Sequence, residues 1–270
     1  MTDAVNFEVG ATSAADHRRR CLRQDLCDPD SLTALSRLNV AAGWACLEIG
    51  AGYGSIARWL AERVGPNGHV VATDRNPHCV DVIARGAPAQ LEARLHDIER
   101  ETLEGERFDL VYTRFTLAHF HDPMAVLHRL ADAVVPAGWL VIEDTCFDER
   151  IEGTAAVRDV MSYLARAGRV TGSNLSWLCN TTHISAAVPL TCADVIQRTR
   201  CFAGNSTEAE FWILNIDDAT TRLNDVGADR TVIARAIADL RTAACHFVGP
   251  AIITMIFRRE SPLDLRPFCT

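Results

Sequence analysis

A parallel α/β sheet covered by helices on both faces is the fold class this sequence predicts, and three observations predict it. Short apolar runs alternate with helix-length segments from Gly43 to Asp144. The runs are apolar throughout instead of alternating with polar residues, as expected of strands buried on both faces. After Asp144 the rhythm gives way to longer helical stretches, which a helical cap on a regular core would produce.

Residues 1–42 read as a polar, helical lead-in, with Asp28-Pro29-Asp30-Ser31 as a helix start before Leu32, Leu35 and Leu38. Strands are expected at Ala45–Ile49, His69–Thr73, Leu91–His96, Phe108–Thr113 and Trp139–Glu143. Helical spacing marks Ser55–Val64, Pro77–Arg85 and Pro123–Val134 between them. Further on, Ile151–Ala167 places Ile151, Ala155, Met161, Leu164 and Ala165 largely on one helix face, and Thr171–Leu190 is less regular. Ala193–Arg200 is expected as a sixth strand and Pro250–Arg258 as the last. Between them lie helices at Glu208–Val226, ended by Gly227, and Thr231–Ala244, capped by Asp229. The chain thus divides into a lead-in (1–42), a ligand-binding core (43–145), a helical cap (146–190) and C-terminal strands and helices that complete the sheet (191–270).

Composition excludes several function classes. With 270 residues, 48% of them hydrophobic, the chain can bury a full core. A net charge of −8 disfavours nucleic acid, which draws its affinity from basic stripes. The short clusters Arg18-Arg19-Arg20 and Arg258-Arg259 read as solvated element ends. No apolar run approaches the ~20 residues that cross a bilayer, and Met1–Gly10 lacks the pattern of a secretory leader. The ten cysteines are scattered without C-x-x-C or metal-type histidine spacing, so they read as free thiols in a reducing cytoplasm, and no metal is expected.

The segment that carries chemistry is Leu47-Glu48-Ile49-Gly50-Ala51-Gly52-Tyr53-Gly54-Ser55, which leaves the first strand and enters a helix. Glycines there let the backbone take positive φ and let a ligand approach the peptide planes. Asp74, 20 residues after Gly54, ends the second strand, where a carboxylate can accept from both hydroxyls of a ribose. A nicotinamide enzyme would show G-x-G-x-x-G facing a pyrophosphate; this spacing is E-x-G-x-G-x-G. It suits S-adenosylmethionine, which has a ribose and adenine but no pyrophosphate, and whose amino-acid ammonium Glu48 could meet. Asp97 and Ile98, at the third strand's end, suit the adenine amine and ring.

On these residues the sequence resembles the class I S-adenosylmethionine-dependent methyltransferases, particularly the ubiquinone- and menaquinone-biosynthesis type and actinobacterial small-molecule relatives. The resemblance covers about 43–145. It includes Phe108–Arg114, similar to the family's fourth strand, and Pro136-Ala137-Gly138-Trp139-Leu140, where Ala137 departs from a common glycine. It implies a Rossmann-like, doubly wound sheet of seven strands with an antiparallel last strand, which Pro250–Arg258 would supply. It also implies a cofactor site that includes Ala51, Arg75 and Arg114. The activity expected is O- or N-methylation of a small-molecule acceptor, without nucleic acid or membrane, with a homodimer as the assembly considered. His119, in Leu117-Ala118-His119-Phe120, and Asp144, at the fifth strand's end, are the candidate bases. His121 reads as part of a helix start. Trp177, Asn180 and His183 lie in the irregular cap region, Phe211 and Trp212 open a later helix, and all five read as core or surface residues ahead of substrate contacts. A cofactor-binding regulator or scaffold, and a nicotinamide oxidoreductase, are the competing readings; the absence of any lysine leaves the latter without a Tyr–Lys pair.

Overall fold

The computed structural model describes residues 13–103, 105–147 and 150–261. Helix α1 (Ala14–Ser36) leads into β1 (Ala45–Ile49), α2 (Ser55–Val64), β2 (His69–Asp74), α3 (Pro77–Ala84), β3 (Leu91–Leu95), β4 (Phe108–Arg114), α4 (Pro123–Asp132) and β5 (Val134–Cys146). Then follow α5 (Ala155–Val170), α6 (Thr181–Ala187), β6 (Thr191–Arg198), β7 (Cys201–Ala203), α7 (Thr207–Asp225), α8 (Arg230–Leu240), β8 (His246–Val248) and β9 (Ala251–Arg258). Seven strands form one sheet in the order β3-β2-β1-β4-β5-β9-β6. The first five pair in parallel, and β9 runs antiparallel to β5 and β6. The predicted fold class, antiparallel last strand included, is the observed one.

Each face of the sheet buries a helical layer. On one, Ile56, Ala57, Leu60, Ala61 and Val64 of α2 pack with Leu35 of α1 and Ile83 of α3; their i, i+3/i+4 spacing is what makes α2 amphipathic. On the other, Val126, Leu127 and Leu130 of α4 pack with Leu178 and Ile184. A third cluster joins Val157, Val160 and Met161 of α5 to Ile216 and Leu223 of α7, Ile233 and Leu240 of α8, and Phe247 of β8. The small antiparallel pair β7–β8 completes this helical unit.

Two sequence expectations about the lead-in and the cysteines are corrected. Asp28-Pro29-Asp30 does not start a helix: α1 runs straight through Pro29. Its acids are engaged elsewhere, Asp28 with Arg114 at 2.7 Å and Asp30 with Arg200 and Arg198. Those ion pairs hold the helix on the sheet past the hydrogen bond that proline cannot donate. Cys146 and Cys179 are not free thiols but a disulfide across 33 residues, and the argument for a reducing compartment loses these two. Buried Cys46 and Cys79 are free.

A carboxylate anchors α1 from below. Glu143 on β5, 3% exposed, accepts from Ser31 Oγ of α1 at 2.5 Å, Tyr112 Oη of β4 at 2.9 Å and Thr254 Oγ1 of β9 at 3.0 Å. Arg114 joins this group by donating to Ser31 Oγ at 2.8 Å.

Ala137, in the irregular stretch of β5 where its register against β4 shifts, has φ +65. A left-handed residue with a Cβ costs about 1–2 kcal/mol, while glycine's extra freedom in the unfolded chain costs about 0.4–1 kcal/mol. Ala137→Gly is therefore expected to stabilise the protein by roughly 0.5–1 kcal/mol, read as a higher denaturant midpoint at unchanged slope. A lower midpoint would show that this position carries no strain.

Candidate functional site

Strand order reverses between β1 and β4, and open α/β sheets bind ligands beyond the carboxyl ends of strands at such a point. Here β1 turns into the loop Gly50–Gly54, whose three glycines have φ of +70, +57 and +76. Ala51 N–H donates to Thr73 O at 2.9 Å, and Gly52 N–H donates to Asp74 Oδ2 at 2.9 Å. Nothing lies within 4 Å of where a Cβ on Gly52 would sit, so a ligand can rest on that backbone. Gly50 and Gly54 answer to the protein instead: a Cβ on Gly50 would overlap Thr116, and one on Gly54 would come within 2.8 Å of Ile83 Cγ1. Gly54 is the left-handed N-cap of α2, so helix propensity gives no reason to expect alanine to be tolerated there.

Three carboxylates stand at this edge in different states. Glu48 is 4% exposed, and its Oε2 has no hydrogen-bond partner among the described residues. Burial pushes its carboxyl up to about 8. Asp74 accepts from Gly52 N–H and, at 2.8 Å, from Asn76 N–H. Each of its oxygens thus keeps one lone pair free, and burial raises its pKa. Asp97 is drawn into its own turn: Oδ1 accepts from Glu99 N–H at 3.1 Å, and Arg100 lies 3.6 Å from Oδ2. Ile98 is buried in the core, and Arg75 is partly exposed beside Asp74.

The remaining predicted residues lie toward β4 and β5. Arg114 is 10% exposed and faces α1, bound to Asp28 and Ser31. His119 contacts Ser173 Oγ at 3.1 Å, and burial lowers its pKa to about 4, so the ring is neutral at physiological pH. Asp144 is buried and accepts three hydrogen bonds, each 2.9 Å, from Ala118 N–H, Thr145 N–H and Trp177 Nε1; burial raises it to about 6. His121 precedes the N-cap Asp122, as read from the sequence. Asn180 caps α6 by accepting from His183 N–H. His119 and Asp144 border a cavity of about 220 Å³ between α1, α5, α7 and the ends of β4 and β5, with Phe211 and Trp212 on its wall.

Sequence reading missed the role of α1. Its first turns cross the glycine loop, where His17 Nδ1 lies 3.2 Å from Tyr53 Oη and the Arg20 guanidinium 5.9 Å from the Tyr53 ring centre. Further along, Arg19, Arg23, Leu26 and Cys27 line the cavity. The basic cluster is therefore not a solvated end: the Arg19 side chain is only 14% exposed. The available signal was helical spacing, since Arg19, Arg23, Leu26 and Cys27 share one face. Phe115, also on the wall, has φ +53. A bulky residue in that region is strained, and such strain clusters at functional sites.

Topology and loop together define a class I S-adenosylmethionine-dependent methyltransferase architecture. Residues 16–186 match the family described as "Methyltransferase domain", and the chain belongs to that family. A methyltransferase from Strobilurus tenacellus, str2, is 37% identical over 108 residues, covering 40% of this chain and 38% of that protein. Phosphoethanolamine N-methyltransferase 1 of Zea mays is 26% identical over 115 residues, 42% of this chain and 23% of that protein. The Haemonchus contortus phosphoethanolamine N-methyltransferase 2, solved with phosphomonomethylethanolamine and S-adenosylhomocysteine, superposes with a TM-score of 0.58 at 14% identity. That match covers 92% of this chain and 58% of the other. Among the described residues no helix is long and apolar enough to cross a membrane, and no group of three metal-ligating side chains forms.

Glu48 gives the site a testable pH dependence. In the free protein its carboxyl is raised, so it stays protonated below about pH 8, whereas a ligand ammonium favours the carboxylate. Affinity for S-adenosylhomocysteine should then rise between pH 6 and 8, by up to about tenfold per unit, and Glu48→Gln should flatten the profile. Calorimetric titration at pH 6, 7 and 8 checks this; a flat wild-type profile would remove Glu48 from the site.

Proposed function

We propose that the protein transfers a methyl group from S-adenosylmethionine to the oxygen or nitrogen of a small molecule held in the cavity beneath α1. The observation that carries this reading is the buried Glu48 carboxyl, whose Oε2 has no hydrogen-bond partner among the described residues, at the strand end that leads into the open backbone of Gly52. Glu48 would take the ammonium of the amino-acid tail, Gly50, Ala51 and Gly52 its backbone-hugging portion, and Asp74 the ribose hydroxyls through its free lone pairs. Ile98 and Asp97 would border the adenine, with Asp97 offering what its own turn leaves available. Arg75 would lie at the rim, and Arg114 would act at one remove, by fixing α1 over the site.

When bound, the cofactor presents a methyl on a cationic sulfur, which departs with the carbon–sulfur bonding pair as a neutral thioether. What the chain must supply is alignment, worth a large share of the barrier when reactants are held at near-attack distance. The Phe115–His119 segment joins the two halves: Thr116 abuts Gly50 and Phe115 lines the cavity. His119, neutral on the cavity wall, is the group we assign to receive the proton an oxygen or nitrogen acceptor loses. Its depressed basicity makes that a modest contribution. Asp144, with three donors already on it, positions Ala118 and Trp177 instead of moving a proton. The relative named a phosphoethanolamine N-methyltransferase and the small size of the cavity favour a small acceptor over nucleic acid.

The ribose assignment has a direct test. Asp74→Ala should weaken S-adenosylhomocysteine binding by ~1–3 kcal/mol, and Asp74→Asn, which keeps one acceptor for the loop, should lose less. Wild-type affinity in a folded Asp74→Ala variant would contradict the assignment.

A further inference from the structure

We infer, on the methyl-transfer reading above, that the acceptor is an organic anion, a compact apolar or aromatic body whose carboxylate or phosphate is received by Arg23. Arg23 lines the cavity from α1 and makes no ion pair or hydrogen bond with another described residue. The arginines around it are all engaged: Arg19 with Asp16 and Asp218, Arg20 with Asp16, Arg114 with Asp28, and Arg200 with Asp30. The acids on the wall are engaged too. Asp144 holds three donors, Asp218 receives Arg19 and Arg222, and Glu208 sits in the first turn of α7, where the helix N-terminus favours a negative charge. None of them pairs directly with Arg23, whose charge reaches only Asp144 from a distance.

A guanidinium partly withdrawn from water with no direct ion-pair partner is costly in the free protein. Burial, then the like charges of Arg19, Arg20 and Arg114, lower its pKa to about 10, so it still carries its charge at neutral pH. A planar fork of donors matches carboxylate and phosphate oxygens in pairs, and a bound anion would supply the partner that the fold withholds. Phe115, Phe147, Leu164, Phe211, Trp212 and Ile252 give the wall its apolar part, among polar groups that are for the most part already engaged with one another. About 220 Å³ falls below the ~300–1,000 Å³ typical of drug-sized ligands, which suits one ring with short substituents.

The test begins by titrating the protein with S-adenosylhomocysteine; absence of binding would overturn the methyl-transfer reading and this inference with it. The loaded protein is then titrated with benzoate, trans-cinnamate and phenyl phosphate, each beside a neutral counterpart (benzamide, cinnamamide, benzyl alcohol). At least one anion should bind about tenfold or more tightly than its counterpart, and carboxylate against phosphate decides which acid the site prefers. Arg23→Met should erase that preference and Arg23→Lys should keep part of it. Arg23→Met should also melt above the wild type, because it removes an unpaired cation from among other arginines; a merely structural arginine would melt lower when truncated. Cofactor binding without anion preference leaves methyl transfer standing and overturns the inference. So does a preference that survives in Arg23→Met, or a melting temperature below the wild type's.

Discussion

Glu143 gathers three hydroxyls from three elements that are far apart in the chain, Ser31 of α1, Tyr112 of β4 and Thr254 of β9. A carboxylate taken out of water is tolerated only when its lone pairs are met, and losing one partner leaves the charge uncompensated. The strand that completes the sheet, the strand beside the glycine loop and the helix above both are thus held by one group. Arg114 extends the connection to Asp28, and Arg200 and Arg198 reach Asp30 from the far side of the sheet. Helix α1 is a structural strap, and its position decides what the carboxyl edge of the sheet encloses.

With α1 so placed, two compartments follow. Its first turns lie on Tyr53 of the glycine loop, where His17 and Arg20 meet the ring, and its middle roofs the cavity with Arg19, Arg23 and Leu26. Helices α5 and α7 form the opposite wall, and α7 is tied to α1 by Arg18–Glu210 and Arg19–Asp218. Between the compartments runs the strained Phe115 segment, pressed against Gly50 through Thr116. A cofactor on one side and an acceptor on the other would meet there, in the geometry an in-line displacement requires.

Much of this was legible in the sequence wherever local periodicity and nearby contacts decide structure. The segment Ser55–Val64 has the same bounds in sequence and structure because its apolar stripe and flanking glycines all act within ten residues. The strand ends carrying Glu48, Asp74 and Asp97 followed from the same alternation. What escaped depends on distant partners. Pro29 reads as a helix start until Asp28 and Asp30 are seen to be bound by Arg114 and Arg200. Arg114 enters the expected cofactor site through the family resemblance alone, and only the fold shows its donors meeting α1 at Ser31 and Asp28. The three-residue strands β7 and β8 and the Cys146–Cys179 pair join positions too far apart for any local pattern to register.

The central claim is that the glycine loop and the cavity form one continuous site beneath α1. Amide hydrogen exchange, measured with and without S-adenosylhomocysteine, tests it most directly. The account predicts slowed exchange in residues 48–55 and 74–76 and, together with them, along 14–28 of α1, because a ligand on the loop would restrain the helix that covers it. Protection confined to the loop, with α1 exchanging as in the free protein, would contradict it.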